Sequence, residues 1–313
     1  GADIVCYLPF DLPHLVRRFV NLVNPTVAIF VKYEFWGNYI MELRRRNVPT
    51  YIISAIFRPS QPFFRPWGGM FRKILRCYRT IMVQDEPSRQ LLESIGCHNV
   101  LVCGDTRFDR VADICRAHKQ IPLVDRFVDN ADFTLVLGSS WPPDEDIVIP
   151  YFNSHPRMKL IIAPHEFDRA RLLALLARLQ RPAALLSLST PEQADKIDCL
   201  VIDSFGILSS LYRYGNAAYV GGGFGAGIHN INEAAVYSIP ILFGPNHSKF
   251  REAADLQACG GAFAVNGADD LNRLLDLLTT DNAALTDAGK NAGAYIQSHL
   301  GATRLAYDTI FNH

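Results

Sequence analysis

Two hydrophobic periods alternate along the chain. Short apolar, β-branched runs at 3–8, 26–31, 50–53, 80–83 and 99–102 read as strands. Between them, apolar residues recur three and four apart at 12–23, 36–46 and 86–95, the spacing of a helix with one buried face. Asn24-Pro25 stops the first helix. A weaker stretch at 116–131 reads as a linker, and then the alternation restarts. Strands are predicted at 132–137, 158–163, 183–187, 198–202, 217–220 and 240–243, with helices at 144–152, 168–179, 230–238 and 249–257. The tail from about 267 to 311 reads as two or three helices. Strands alternating with helices across short connections make βαβ units and a parallel sheet. The expected fold is α/β, with two Rossmann-like doubly wound domains, 1–125 and 126–313, facing a cleft. Ligands of such sheets bind beyond the carboxyl ends of the strands.

The length of 313 residues fits two domains, and 49% hydrophobic with 20% charged residues fits globular cores. No apolar run reaches the roughly 18–20 residues of a membrane-spanning helix, and no signal-peptide pattern is present. Gly1-Ala2-Asp3 leads straight into a strand-like run without a Met, which reads as a truncated start. Seven cysteines are scattered without a CxxC pair, so neither a disulfide framework nor a structural zinc site is expected, and no metal is assigned. Net charge is zero but lopsided. Residues 1–130 hold 18 Lys and Arg against 12 Asp and Glu; the remainder holds 13 against 19. The basic half points to an anionic partner.

Four candidate loops follow strands of the second half. In Val220-Gly221-Gly222-Gly223-Phe224-Gly225-Ala226-Gly227-Ile228-His229-Asn230, a strand meets a glycine-rich turn and then a helix start. Glycines let the backbone approach a ligand, and helix N-terminal amides favour phosphate. Glu233, one turn in, is placed to accept bonds from both hydroxyls of a ribose. The competing reading is a tight turn capped by Asn230, with Glu233 complementing the helix dipole. The spacing is not GxGxxG, so the dinucleotide fingerprint does not apply. Gly138-Ser139-Ser140 offers small side chains, hydroxyls and amides before a helix opening at Pro143-Asp144-Glu145; a plain capping loop is the alternative. Pro164-His165 suits a base or a sugar, or His165 is simply solvated. Asp203-Ser204-Phe205-Gly206 is the fourth, where Asp203 or Ser204 caps a helix from Ile207.

In the first half, Lys32-Tyr33-Glu34-Phe35-Trp36-Gly37-Asn38 puts charges directly after a strand, and Lys32 with Glu34 is the simplest pairing. Arg107, in Gly104-Asp105-Thr106-Arg107-Phe108-Asp109, can fork onto a phosphate or carboxylate, or be held by Asp105 or Asp109. Residues 58–79 carry six basic residues and no acid, among them Arg65, Arg72, Lys73 and Arg76, interleaved with Phe63, Phe64, Trp67, Phe71 and Tyr78. Such a segment fits a membrane surface or an anionic amphiphile. Single-stranded nucleic acid would use the same ingredients, and a helix with a solvated basic face is the plain alternative.

Taken in order, these motifs resemble those of the Kdo transferases, which move 3-deoxy-D-manno-octulosonic acid from its CMP-activated form to the lipid A precursor. Tyr7-Leu8-Pro9-Phe10-Asp11 is similar to YLPxD, and Tyr33 to Asn38 to TELWPN, with Gly37 for proline. Gly104 to Asp109 is similar to GNLKFD, with Arg107 for lysine. Gly138-Ser139-Ser140 resembles AGST, and Ala163-Pro164-His165-Glu166 a shortened PRHPE. Asp203 to Gly206 resembles DTMGE, Gly227 to Glu233 GGHNPLE, and Phe243-Gly244-Pro245 FGP.

The resemblance implies a GT-B fold and an inverting, metal-independent transfer in lipopolysaccharide core biosynthesis. CMP-Kdo is then the donor substrate rather than a cofactor, and a phosphorylated glycolipid is the acceptor. The site would be peripheral, at the cytoplasmic face of the inner membrane, with no nucleic acid bound. It implies that Gly138, Ser139, Ser140, Pro164, His165, Phe205, Gly206, Gly227, His229, Asn230 and Glu233 hold CMP. Arg107 would take the donor carboxylate or phosphate, Glu34 would serve the acceptor side, and Arg65, Arg72, Lys73 and Arg76 the glycolipid and membrane. It also implies that the general base lies upstream of Gly1, so that this chain is inactive alone. A nucleotide-sugar epimerase of the same fold and an inactive nucleotide- or glycolipid-binding fragment are the rival readings.

Overall fold

The computed structural model describes residues 2–312. In chain order its elements are α1 (Pro13–Val23), β1 (Ala28–Val31), α2 (Gly37–Arg45), β2 (Thr50–Ala55), α3 (Gly69–Leu75), β3 (Thr80–Val83), α4 (Glu86–Ser94), β4 (Val100–Val102), α5 (Thr106–Ala117), α6 (Pro122–Val128), β5 (Phe133–Ser140), α7 (Pro142–Ser154), β6 (Met158–Pro164), α8 (Arg169–Arg178), β7 (Ala183–Leu185), β8 (Cys199–Val201), α9 (Leu208–Leu211), β9 (Ala217–Val220), α10 (Asn232–Ala235), β10 (Ile241–Phe243), α11 (Arg251–Ala258), β11 (Ala262–Ala264), α12 (Ala268–Thr280), α13 (Asn282–Ser298) and α14 (Ala302–Phe311). Two compact units result. The first is Gly1–Asp109 with His299–His313, and the second is Arg110–Ser298.

The first unit is a four-stranded parallel sheet in the order β1-β2-β3-β4. Side chains alternate across it with period two. Ile52, Ile81 and Val83 enter a core with Ile40, Phe57, Phe63 and Leu75, while Tyr51, Met82 and Cys103 pack against Ala302, Ala306 and Ile310 of α14. The last helix therefore completes the first unit, although the chain order places it after the second.

Residues 3–8 do not form the predicted strand. They lie beside no sheet neighbour among the described residues, and Tyr7 is 99% exposed. A parallel strand exists only through its ladder, so an apolar run alone does not secure it. The same segment ends usefully. Asp11 accepts the amides of Asn38 and Tyr39 at 3.2 Å each, and Asn38 Nδ2 donates to its carbonyl at 2.6 Å, so Asp11 caps α2 from 27 residues away.

Within α2, Glu42 is 7% exposed and receives Arg45 at 2.7 and 2.8 Å and Arg46 at 2.7 Å. The Arg45 bond, with Arg46 helping and burial opposing, holds the carboxyl at about 2, below its ordinary 4.5. A lowered acid stabilises the fold above its unfolded value and loses that contribution as pH falls through the folded one. Thermal melts should therefore show stability falling between about pH 4.5 and 2, with a shallower fall in Glu42→Gln. Parallel pH profiles for the two proteins would refute this.

The second unit is a seven-stranded parallel sheet in the order β11-β10-β9-β5-β6-β8-β7. β5 is central. Its Leu135 and Leu137 join Leu160, Ile162, Tyr219 and Leu242 in one core, closed by Val148 and Phe152 of α7 and Leu271 and Leu275 of α12. The stretch read as a linker contains α6, whose Leu123, Val124 and Phe127 are buried. The short β11 escapes the hydrophobic pattern, and the tail forms three helices. The predicted helix at 230–238 shrinks to the single turn α10, because Ser238 turns left-handed (φ 57°) just before Pro240 and β10.

Candidate nucleotide site in the second unit

β9, β5, β6 and β8 are consecutive neighbours in the sheet and run the same way, so their carboxyl ends form one row. That topology brings together the four loops chosen from the sequence. Gly221 N donates to the Gly138 carbonyl at 2.9 Å, and His165 N to the Ser140 carbonyl at 3.0 Å, which ties the loops after β9 and β6 to the end of β5. Ser139 takes a left-handed conformation (φ 51°) where the β5–β6 register shifts.

The glycine turn is built around backbone contacts. Gly222 has φ 93°, and a Cβ there would come within 3.0 Å of the His229 ring. Gly227 has φ 139° and abuts the Phe250 ring. Asp144, 1% exposed, anchors the turn: its Oδ2 accepts Gly222 N at 3.0 Å and Trp141 N at 2.9 Å, and Tyr219 OH reaches Oδ1 at 3.3 Å. Burial pushes this carboxyl up, and the two amides oppose the shift.

His165 stacks on both Trp141 (centroids 4.7 Å) and His229 (4.5 Å). Trp141 Nε1–H donates to His229 Nε2 at 3.1 Å, so a neutral His229 carries its proton on Nδ1. Burial, and then the neighbouring His165, lower the His229 pKa from 6.5, which favours that neutral ring. Trp141, Pro143, Phe224 and His229 line an apolar cavity of about 390 Å³ beside the turn, within the size range of small-ligand pockets.

Glu233 is held at both oxygens. Ser209 Oγ donates to Oε2 at 2.6 Å and Asn230 Nδ2 to Oε1 at 3.0 Å. Asn230 is not the N-cap residue of α10, which is Ile231, but its Oδ1 accepts Asn232 N at 3.3 Å. The N–H groups of Asn230, Ile231 and Glu233 find no acceptor among the described residues. A one-turn helix carries little macrodipole, so these individual amides, rather than a long helix, supply the positive end.

Other residues chosen from the sequence have structural partners. The Ser140 hydroxyl donates to the fully buried Glu145 at 2.8 Å. Gly138 leaves room for the Tyr212 phenol, which a Cβ would overlap. Pro164 is buried at the end of β6. Asp203 does not cap α9: it accepts the Ser187 amide at 3.0 Å and the Ser187 hydroxyl. Phe205 is 85% exposed and leans on Phe167, with Gly206 at φ 80° beside it.

In the first unit, Lys32 pairs with Asp105 at 3.2 Å instead of with Glu34, which receives the Trp36 indole N–H. Arg107 Nε also binds the buried Asp105, at 2.7 Å, while Asp109 accepts the amides of Gly301 and Thr303 at 2.7 Å each. In the basic segment, Phe63 and Tyr78 are core residues, and Arg72 is spent on the carbonyls of Phe63 and Arg65. Arg65, Trp67, Met70, Lys73 and Arg76 are exposed. No helix among the described residues is long and apolar enough to cross a membrane.

Asp144, Trp141 and Ser209 join the candidate site through contacts that the sequence does not disclose. Asp144 reads only as a helix-start acid, because its partner Gly222 lies 78 residues away. Nothing in the sequence connects Ser209 to Glu233.

Residues 1–110 match the family model described as 3-deoxy-D-manno-octulosonic-acid transferase (kdotransferase). The chain is 27% identical to the 3-deoxy-D-manno-octulosonic acid transferase of Rickettsia prowazekii, over 94% of this chain and 65% of that protein. It is 28% identical to that of Aquifex aeolicus, over 88% of this chain and 72% of the relative. The chain thus spans about two thirds of these relatives' length. Among solved structures it is similar to a UDP-N-acetylglucosamine 2-epimerase, with TM-score 0.63, 10% identity and coverage of 95% of this chain and 74% of that one. The Neisseria meningitidis UDP-GlcNAc 2-epimerase gives 0.60 and 15%, over 92% and 79%. At such identities the likeness concerns the fold, which is GT-B-like. Motif order along the chain and similarity over nearly all of it agree: the chain is similar to 3-deoxy-D-manno-octulosonic acid transferases, and its first 110 residues match that family's model.

Proposed function

We propose that this chain carries the donor site of an inverting Kdo transferase, taking CMP-Kdo as donor and a phosphorylated lipid A precursor as acceptor. The observation that carries the reading is the row of strand ends where the amides of residues 230, 231 and 233, without an acceptor among the described residues, adjoin a pre-oriented Glu233 carboxylate. In the reaction, an acceptor hydroxyl oxygen attacks the anomeric carbon of Kdo. The bond from that carbon to the CMP phosphate oxygen breaks, and CMP leaves with the electron pair. The acceptor proton passes to a base. The amides near Asn230 stabilise charge growing on the departing phosphate, as preorganised donors do. Glu233 grips the ribose hydroxyls. Pro164, His165, Phe205 and Gly206 frame the cytosine. Arg107 is assigned to the donor's carboxylate, and Glu34 to the acceptor side.

Calorimetric titration tests the donor. CMP should bind at least tenfold more tightly than UDP, and a preference for UDP would favour the epimerase reading.

The glycolipid is assigned to the exposed Arg65, Lys73 and Arg76 beside Trp67 and Met70. A cationic patch with exposed apolar side chains fits an anionic interface. Removing the Lys73 and Arg76 charges should weaken sedimentation with phosphatidylglycerol vesicles several-fold at low salt and little at high salt. Equal sedimentation by both proteins would contradict the assignment.

A further inference from the structure

We propose that Ser209 is a positioning residue that holds the Glu233 carboxylate in the orientation a ribose requires, and so helps set the preference for ribonucleotides. This rests on the donor-site reading above. Glu233 forms no ion pair among the described residues, so no cation fixes its direction. Its two oxygens are oriented by neutral donors alone. Asn230 comes from the same turn of chain. Ser209 comes from α9, which follows β8, and its bond of 2.6 Å spans 24 residues. It is the tie that comes from outside the turn.

The two donors have different consequences. With Asn230 alone, the carboxylate remains free to swing about that one contact. With Ser209 on Oε2 as well, both ends of the carboxylate are fixed before any ligand arrives. Each oxygen accepts more than one bond, so lone pairs remain for two vicinal hydroxyls. A free glutamate side chain loses rotamer entropy when it is immobilised. Ser209 meets that cost in the ligand-free protein, which is preorganisation. The benefit is felt only by a ligand that uses both carboxylate oxygens, namely one with a 2′,3′-diol.

The test is calorimetric, with CMP and 2′,3′-dideoxy-CMP titrated into wild type, Ser209→Ala, Ser209→Thr and Glu233→Ala, each checked for an intact melting transition. Ser209→Ala should bind CMP about five- to tenfold more weakly and the dideoxy analogue within twofold of wild type. Ser209→Thr, which keeps the hydroxyl, should recover most of the CMP affinity. Ser209→Cys, of similar size with a weak donor, should resemble the alanine variant and serves if alanine perturbs folding. Equal weakening for CMP and the dideoxy analogue would reduce Ser209 to a packing role and overturn the proposal. So would unchanged CMP binding in Ser209→Ala while Glu233→Ala is impaired. If Glu233→Ala itself binds CMP normally, the ribose assignment fails instead, and the two failures are told apart.

Discussion

Glu233→Ala is expected to weaken CMP binding by at least about 1.5 kcal/mol, slightly more than tenfold, while leaving the melting temperature nearly unchanged. Hydrogen bonds to an ionised group contribute about 1.5–3 kcal/mol each, and a ribose engages two hydroxyls. The fold should tolerate the change. Glu233 is half-buried, forms no ion pair among the described residues, and its two partners are an alcohol and an amide that water can satisfy. Isothermal calorimetry decides it: a folded variant with wild-type affinity for CMP removes the ribose from Glu233.

Glu145→Ala should have the opposite profile, with stability lost first and affinity only through the fold. Glu145 is fully buried and takes three donors: the Ser140 hydroxyl at 2.8 Å, Arg171, and Arg178 at 3.4 Å. It fastens the end of β5 to α7 and α8. Removing one partner of a buried pair costs about 3–5 kcal/mol when the charge left behind stays dry. Here the two arginines are partly exposed, so about 2–3 kcal/mol is expected. In a unit of this size that lowers the melting temperature by roughly 5–10 °C. Glu145→Gln, which still accepts from Ser140, should lose less. A melt of Glu145→Ala within 1 °C of wild type would show the cluster to be energetically idle.

These two acids show what the sequence discloses and what it hides. Glu233 is legible because one helical turn and a glycine run lie beside it in the chain. Glu145 is legible only as a helix-start acid; its arginines follow 26 and 33 residues later on another helix. The strands and most helices were readable because parallel sheets bury both faces and leave continuous apolar runs, as in Leu160-Ile161-Ile162. The segment 3–8 carries the same signal and forms no strand, since periodicity reports burial potential and not the presence of a partner. The α6 helix was lost because one turn and a half of Leu123, Val124 and Phe127 is too short to establish a period. The position of α14 was unreadable for another reason: its pattern says helix, and nothing local says which sheet it covers. In the candidate site, loops were found and their wiring was not. Gly222 to Asp144, Glu233 to Ser209 and Lys32 to Asp105 are all contacts across long stretches of chain.

Because α14 supplies one wall of the core around Tyr51 and Met82, the second unit is in effect an insertion within the first. A nascent chain that has just released residue 109 from the ribosome has made β1 to β4 but not the helix that packs on Tyr51 and Met82. The second unit, continuous from Arg110 to Ser298, has all its strands before that wall is made. The unit that starts first is thus the one that finishes last, and its apolar face must stay clear of wrong partners for the whole interval of synthesis between them.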